Sequence, residues 1–204
     1  MIKLKNALEI YFIRNGETVG NLGSKLQGQT EGSLSRKGIR QARLLGKLLK
    51  QIQIDKVYSS PLKRAADTYK YTGIKIKPIY LDELKERDFG DLTNLTYFDM
   101  INLPADYRPN NGESLVDMQL RVKKLLNRII KENKINDRVL VFTHHEVTLS
   151  SVAYVIGLPL DNFRKLMISN TSITQVDYYD NKFTVKRVNE LGHLGNLKRT
   201  IRTY

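Results

Sequence analysis

The chain has no cysteine and no tryptophan, and it has only three histidines among 204 residues. Without cysteine there is no disulfide framework, no thiolate metal site and no cysteine nucleophile, and three histidines leave little material for a zinc cluster. No apolar run approaches the roughly 18 residues that a membrane span needs, and the N-terminal residues lack a signal-peptide pattern. We therefore expect a cytoplasmic protein with no bound metal and no membrane contact.

Acidic residues are also scarce, because 21 Asp and Glu stand against 34 Lys and Arg and leave a net charge of +13. An excess of this size attracts anions. The basic residues are scattered and form neither a Lys/Arg block nor an aromatic and basic platform for nucleic acid. We expect the partner to be a small phosphorylated molecule or inorganic phosphate, and not nucleic acid.

Hydrophobic periodicity predicts one α/β domain over residues 1–204, because short β-branched or aromatic runs alternate with helical patterns. Such alternation is typical of a mostly parallel central sheet covered on both faces, here closed by a C-terminal hairpin at residues 179–182. The predicted strands are 8–13, 55–59, 77–81, 138–143, 173–179 and 182–188. The predicted helices are 35–50, 61–71, 114–133 and 146–156.

Two polar stretches do not follow this alternation. Residues 16–33 contain five glycines, and residues 85–112 contain two prolines with only a short helical possibility near 94–101. Long irregular segments in a compact domain usually serve function. We interpret residues 85–112 as a short lid insertion.

Charged and imidazole side chains follow three of the predicted strands. Arg14 follows the first strand, Arg64 lies shortly after the second, and His144 and His145 follow the fourth. Ligands of a parallel sheet bind beyond the carboxyl ends of its strands, so these side chains should meet at one place. Two guanidinium groups there would hold a phosphate in bidentate fashion.

The start of the second predicted helix strengthens this expectation. Ser60 is a suitable N-cap and Pro61 suits the first helical position. Arg64 would then lie on the first turn, near free backbone N–H groups that favour an anion.

Motifs spread over nearly the whole chain form one ordered pattern. They are Ile13-Arg14-x-Gly16-Glu17-Thr18 with Asn21, Gln27-Gly28, Leu34-Ser35-x-x-Gly38-x-x-Gln41-Ala42, Ser59-Ser60-Pro61-x-x-Arg64-Ala65-x-x-Thr68, Leu84-x-Glu86-x-x-Phe89-Gly90, Gly112-Glu113-Ser114, Arg121-Val122, Val141-Phe142-Thr143-His144 and Asn170-Thr171-Ser172. The pattern resembles the histidine phosphatase superfamily, also called phosphoglycerate mutase-like. That resemblance implies a three-layer α/β/α fold and phosphoryl transfer through a phosphohistidine, with no metal and no cofactor.

One position departs from this family, whose Arg-His-Gly motif is replaced here by Arg14-Asn15-Gly16. The missing histidine is the family's nucleophile. A neutral imidazole offers a nitrogen lone pair, whereas the lone pair of the Asn amide nitrogen is delocalised into its carbonyl. We therefore expect Asn15 to form no phosphoenzyme while the pocket still binds intact substrate.

Two explanations of Asn15 remain open. One is a deliberate His-to-Asn substitution that traps substrate, favoured because the other catalytic positions match the family. The other is a natural pseudoenzyme or an enzyme with altered chemistry. Two further departures favour the second explanation, since His145 and Asn94 stand where the family often has glycine.

The resemblance also implies roles for the matching residues. Arg14, Arg64 and His144 would form the phosphate clamp around position 15. Glu86 would protonate the leaving oxygen and later activate water. The predicted substrate-binding residues are Asn21, Gln27, Gly28 and His145. Glu113 and Arg121 have weaker signals and are interpreted as supporting the fold.

The resemblance favours a phosphomonoesterase acting on a small phosphorylated metabolite, with this chain inactivated at Asn15. A pseudoenzyme that binds a phosphorylated ligand and a phosphoglycerate-type mutase are the alternatives. A mutase is less favoured because only residues 87–111 separate Glu86 from Gly112, where mutases have a longer insertion. The sequence fixes neither the substrate nor the oligomeric state. The lid residues that would touch a leaving group are Tyr97, Phe98, Tyr107 and Arg108.

Overall fold

The elements form a six-stranded sheet with helices on both faces, in a computed structural model that describes residues 6–100 and 102–200. The strands are β1 (Leu8–Arg14), β2 (Lys56–Ser59), β3 (Ile79–Tyr80), β4 (Arg138–Thr143), β5 (Ile173–Tyr179) and β6 (Lys182–Glu190). The helices are α1 (Arg36–Leu49), α2 (Lys63–Thr72), α3 (Tyr97–Met100), α4 (Leu115–Glu132) and α5 (His145–Ile156). The predicted α/β fold is confirmed.

The strand order is β3-β2-β4-β1-β5-β6. The first four strands in this order pair in parallel, and β5 pairs antiparallel with both β1 and β6. All six residues of β4 are buried, as expected of a strand covered on both faces. In register, Arg14 of β1 lies opposite Thr143 of β4, and Ser59 of β2 lies opposite Phe142. The carboxyl ends of these three strands therefore lie at one edge of the sheet.

Alternate residues of β4 pack into different hydrophobic layers. Val139 and Val141 pack in a cluster with α4, whereas Leu140 and Phe142 pack in a cluster with the leucines of α1. This period of two is the geometry of an extended strand. It separates the core into two layers, one on each side of the sheet.

Helix α4 begins where its sequence predicts. The Ser114 hydroxyl accepts a hydrogen bond from the Asp117 backbone N–H, and the Asp117 carboxylate accepts one from the Ser114 N–H, which completes a capping box. The apolar stripe of α4 then packs on the sheet.

The hairpin prediction also agrees with the structure, because Asp180 and Asn181 both have positive φ, as a tight β-turn requires.

The start of α2 differs from its prediction. The helix begins at Lys63, and Leu62 occupies the N-cap position without a side-chain cap. Pro61 is therefore not the first helical residue, and Ser60 is not the cap. The physical reason is that the Ser60 hydroxyl is hydrogen-bonded to His144 from the end of β4.

The lid insertion has a small core of its own. Leu26, Phe89 and Met100 are buried together, and the ring of Tyr97 packs beside them. Asn94 has a φ of 73°. Asparagine tolerates this left-handed conformation better than other non-glycine residues, which accounts for Asn at a position where the family often has glycine.

Two other predicted elements are much shorter in the structure. The predicted helix at 94–101 is reduced to the single turn of α3, and its residue 101 lies outside the described residues. Strand β3 has two residues instead of five, because it pairs only at the sheet edge with β2.

Within residues 6–100 and 102–200, no helix has the length and apolar character to cross a membrane.

Candidate active site

A cavity of about 780 Å³ opens beyond the carboxyl ends of β1, β2 and β4. Both polar stretches contribute to its walls, as does the segment before β5. Eight of the nine predicted site residues line it, namely Arg14, Asn15, Asn21, Gln27, Gly28, Arg64, Glu86 and His145. The strand ends thus bring together residues that lie up to 131 positions apart in the chain.

Asn15 is held by hydrogen bonds on both sides of its amide. Its Nδ2 donates to the Gly16 carbonyl at 2.9 Å, and its Oδ1 accepts from His144 Nδ1 at 3.1 Å. The other His144 nitrogen, Nε2, accepts from the Ser60 hydroxyl at 2.8 Å, and that hydroxyl accepts from the Leu62 N–H. The second N–H of the Asn15 amide is left for an oxygen atom of a ligand.

His144 lies behind Asn15 rather than on the cavity surface. It is fully buried, and both ring nitrogens are engaged by Asn15 and Ser60. Burial and the charges of Arg64 and Arg14 hold the pKa of His144 well below its usual range, so the ring is neutral. In this arrangement His144 orients Asn15, whereas the sequence places it in direct contact with phosphate.

Arg64 is fixed by the glycine-rich loop. The residue is 2% exposed, and its guanidinium donates to the Gly28 carbonyl at 2.6 Å and to the Thr30 carbonyl at 2.9 Å. A guanidinium has five N–H groups, so the two used here leave others for an anion. Burial lowers the pKa of Arg64, while the nearby Glu86 carboxylate raises it.

Arg14 extends from the end of β1 toward the segment before β5. Its Nη1 donates to the Ile168 carbonyl and lies 3.4 Å from His145 Nδ1. Arg14 and Arg64 therefore approach the cavity from two different strand ends. This arrangement suits a phosphate held from two sides.

Glu86 caps the start of α5. Its Oε2 accepts from the His145 N–H at 3.1 Å, and its Oε1 accepts from the N–H groups of Glu146 and Arg87 at 3.2 and 3.1 Å. The side chain is 8% exposed and still lines the cavity. All three hydrogen bonds come from backbone N–H groups, and two of these groups belong to the first turn of α5. Its use as a proton donor requires one of these bonds to open.

Glu113 and Arg121 hold the segment that carries Glu86. Arg121 makes a bidentate ion pair with the Glu113 carboxylate, at 2.8 and 2.7 Å. A further Arg121 nitrogen donates to the carbonyls of Glu83 and Lys85, each at 2.8 Å. This geometry accords with the interpretation that the pair supports the fold.

The polar loop after β1 is cross-linked by side chains. The Asn21 Oδ1 accepts from the Thr18 N–H at 3.0 Å, and the Gln27 Oε1 accepts from the Thr18 hydroxyl at the same distance. Asn170 donates to the Asn15 carbonyl at 3.0 Å and approaches Asn21 at 3.4 Å. Asn170, which the motifs mark without assigning it a function, therefore lies beside Asn15.

The charges around the cavity are predominantly positive. Besides the two arginines, Lys25, Lys37 and Lys165 line it, against three carboxylates. Lys37 is paired with Glu17 at 2.8 Å. Lys25 lies on the polar loop after β1, Lys37 on the first turn of α1 and Lys165 on a 3-10 turn before β5. None of the three is a matching residue of a motif, so their place in the cavity wall was not predictable. No group of three or more His, Asp or Glu side chains suited to a metal occurs in the described part of the chain.

Comparisons with known proteins assign the family. The model for "Histidine phosphatase superfamily (branch 1)" matches residues 10–191. The chain belongs to this superfamily. Its α/β fold, with helices on both faces of the sheet, is thus the fold of this superfamily.

Relatives of the chain carry both phosphatase and mutase names. "Probable phosphoglycerate mutase GpmB" of Proteus mirabilis is 26% identical over 93% of this chain and 96% of its own length. "Uncharacterized phosphatase PhoE" of Bacillus subtilis is 27% identical over 91% of this chain and 96% of its own. A solved phosphoserine phosphatase of Entamoeba histolytica, in complex with 3-phosphoglyceric acid, superimposes with a TM-score of 0.83 at 25% identity, over 92% of this chain and 99% of that one.

Proposed function

We propose that the cavity binds the phosphate group of a small phosphomonoester and that the phosphohistidine step of the family is lost at residue 15. The observation that carries this proposal is the convergence of Arg14 and Arg64 on a cavity that Asn15 also lines. The Asn15 amide keeps one hydrogen-bond donor for a phosphate oxygen but has no nitrogen lone pair for attack. The protein is then a phosphomonoesterase by architecture, with hydrolysis through residue 15 blocked.

The Entamoeba structure supports the choice of ligand class. That relative holds a small phosphorylated acid, 3-phosphoglyceric acid. Mutase activity is the second candidate, favoured by the name of the Proteus relative. The two activities differ in the final acceptor of the phosphoryl group, which is water in a phosphatase and a substrate hydroxyl in a mutase.

Anion binding tests the clamp. Titration calorimetry with inorganic phosphate should show binding that weakens at least tenfold in Arg64→Ala, because charge-assisted hydrogen bonds contribute roughly 1.5–3 kcal/mol each. Arg43→Ala is the matched control, since Arg43 is an exposed residue of α1 outside the cavity and its loss removes the same charge. Equal affinity in the two variants would contradict the proposed clamp.

Restoring the nucleophile tests the lost step. Asn15→His should hydrolyse members of a phosphomonoester panel faster than the native chain by several orders of magnitude. Asn15→Gln is the control, because it keeps an amide without a nucleophilic nitrogen. Mass spectrometry must verify residue 15, since an Asn-Gly pair deamidates readily. An inert Asn15→His protein across the panel would refute the phosphatase assignment.

A further inference from the structure

His145 has an orientation that a nucleophilic imidazole needs. Its Nδ1 lies 3.0 Å from the Ile168 carbonyl oxygen and 3.4 Å from Arg14 Nη1. The carbonyl oxygen only accepts and is the nearer partner, so we assign the proton to Nδ1. Nε2 then holds the lone pair. Within the described residues nothing hydrogen-bonds to Nε2, and His145 lines the cavity.

The surroundings of His145 keep this lone pair available. Burial and the charge of Arg14 lower the pKa of His145 to about 3, so the ring is neutral near pH 7. The Nδ1–H bond to Ile168 also stabilises the positive charge that develops on the ring when Nε2 bonds to phosphorus. The guanidinium of Arg14, 3.4 Å from Nδ1, stands where it can bind a phosphoryl oxygen beside the ring.

The other two histidines lack this combination. Both ring nitrogens of His144 are engaged by Asn15 and Ser60, and its side chain is fully buried. His193 hydrogen-bonds to Thr171 and does not line the cavity. His145 alone among the three has an anchored Nδ1, a lone pair on Nε2 and a place in the cavity wall.

We propose that His145 Nε2 accepts the phosphoryl group in this chain, in place of the missing histidine at residue 15. The inference rests on the proposed function, because it requires a phosphomonoester in the cavity. The Nε2 lone pair forms the N–P bond while the P–O ester bond breaks, and the leaving oxygen keeps the electron pair and takes a proton from water. Water then attacks phosphorus, the N–P bond breaks, and inorganic phosphate leaves while the pair returns to Nε2.

The test uses p-nitrophenyl phosphate as the phosphoryl donor with the native full chain. The reaction is quenched in alkali, in which phosphohistidine survives, and peptides are sequenced by tandem mass spectrometry. We expect phosphohistidine at His145 and a slow release of p-nitrophenol. In His145→Gln the label should be absent and the turnover at least tenfold lower, whereas His193→Gln should keep the label and the turnover of the native chain.

Inorganic phosphate titrations of the same proteins separate the possible failures. Unchanged phosphate affinity in His145→Gln, together with lost label and turnover, supports the phosphoryl acceptor. A native chain that binds phosphate but shows neither label nor turnover overturns His145 as acceptor and leaves the proposed binding function standing. A label on another residue, or equal turnover in native and His145→Gln proteins, also overturns it. If the native chain fails to bind phosphate, both proposals fall.

Discussion

Replacing Glu86 with glutamine should destabilise the protein, because this carboxylate satisfies three backbone N–H groups. Two of them belong to His145 and Glu146 at the start of α5, and the third belongs to Arg87. A glutamine side chain offers one acceptor oxygen, and its NH2 group cannot accept a hydrogen bond from the backbone N–H that it would face. At least one of the three hydrogen bonds is therefore lost.

The size of the effect follows from these contacts. A hydrogen bond to a charged acceptor contributes roughly 1.5–3 kcal/mol, and a negative charge at a helix N-terminus contributes about 0.3–1 kcal/mol more. The neutral amide of the Glu86→Gln variant offsets part of this loss, because it costs less to bury than a carboxylate. We expect the free energy of unfolding to fall by about 2–3 kcal/mol.

Urea unfolding followed by circular dichroism at pH 7 measures this quantity. Glu83→Gln is the matched control, because Glu83 lies on the same segment and forms a partly exposed ion pair with Arg128 at 3.0 Å. Such pairs contribute between about 0 and 1 kcal/mol. If Glu86→Gln unfolds at the same urea concentration as Glu83→Gln, the reasoning that Glu86 holds the start of α5 is refuted.

Three further predictions concern other parts of the molecule. In the Asn15→His background, Glu86→Gln should reduce kcat/KM for an alkyl phosphate far more than for p-nitrophenyl phosphate, because only the poor leaving group needs a proton; equal losses would remove Glu86 from the mechanism. Burial lowers the pKa of His145 to about 3 in the folded chain, whereas in the unfolded chain the pKa is near 6.5. Between these pH values the unfolded chain binds one proton more than the folded chain, so the free energy of unfolding falls as the pH decreases from 6.5. Urea unfolding of His145→Gln across this range should show a slope smaller by up to about 1.4 kcal/mol per pH unit, and an unchanged slope would contradict a neutral buried ring. Gly46→Ala should lower the free energy of unfolding by about 1–3 kcal/mol in the same assay, because the added Cβ would lie 2.1 Å from a backbone oxygen at the end of α2. Gly23→Ala is the control, since its added Cβ would have its nearest contact at 3.7 Å, and it should change the free energy of unfolding by less than about 0.5 kcal/mol.

Regular elements with complete local signals were predictable from the sequence. The bounds of β4 and β5 agree with their apolar and β-branched runs, and α4 begins at its capping box. These signals are local, because side-chain periodicity and a cap depend on residues close in the chain. The predicted start of α2 was wrong because of a contact between distant parts of the chain. Ser60, the predicted N-cap, is hydrogen-bonded to His144, 84 positions away.

The edge of the sheet that carries the site was also predictable, but the depth of each side chain was not. Strand ends place Asn15 and His144 at one edge, yet only the packing shows that His144 lies behind Asn15 with both nitrogens engaged. The contacts of Glu86 with the start of α5 likewise join segments 59 and 60 positions apart. Residue identity gives chemistry, whereas orientation depends on hydrogen bonds that form only in the folded chain.

Of the lid residues predicted to touch a leaving group, Tyr97 lines the cavity. Phe98 is 67% exposed, and Arg108 is paired with Asp117 of α4. Tyr97 belongs at the same time to the small lid core around Phe89. The sequence could not separate these two uses of an aromatic side chain, because both place it on the inner face of the lid.

The two positions of this site at which the motifs differ from the family pattern in the sequence analysis both lie next to one arginine. Asn15 adjoins Arg14 in the chain, and His145 Nδ1 lies 3.4 Å from Arg14 Nη1. Asn15 hydrogen-bonds to Gly16 and His144, and these bonds hold the floor of the cavity although an amide has no nucleophilic nitrogen. An alanine at residue 15 would leave the buried His144 Nδ1–H without its acceptor, at a cost of roughly 1–3 kcal/mol. On the proposed function, asparagine preserves the anion site, and a phosphate held there by Arg14 would lie beside His145, the one histidine that lines the cavity.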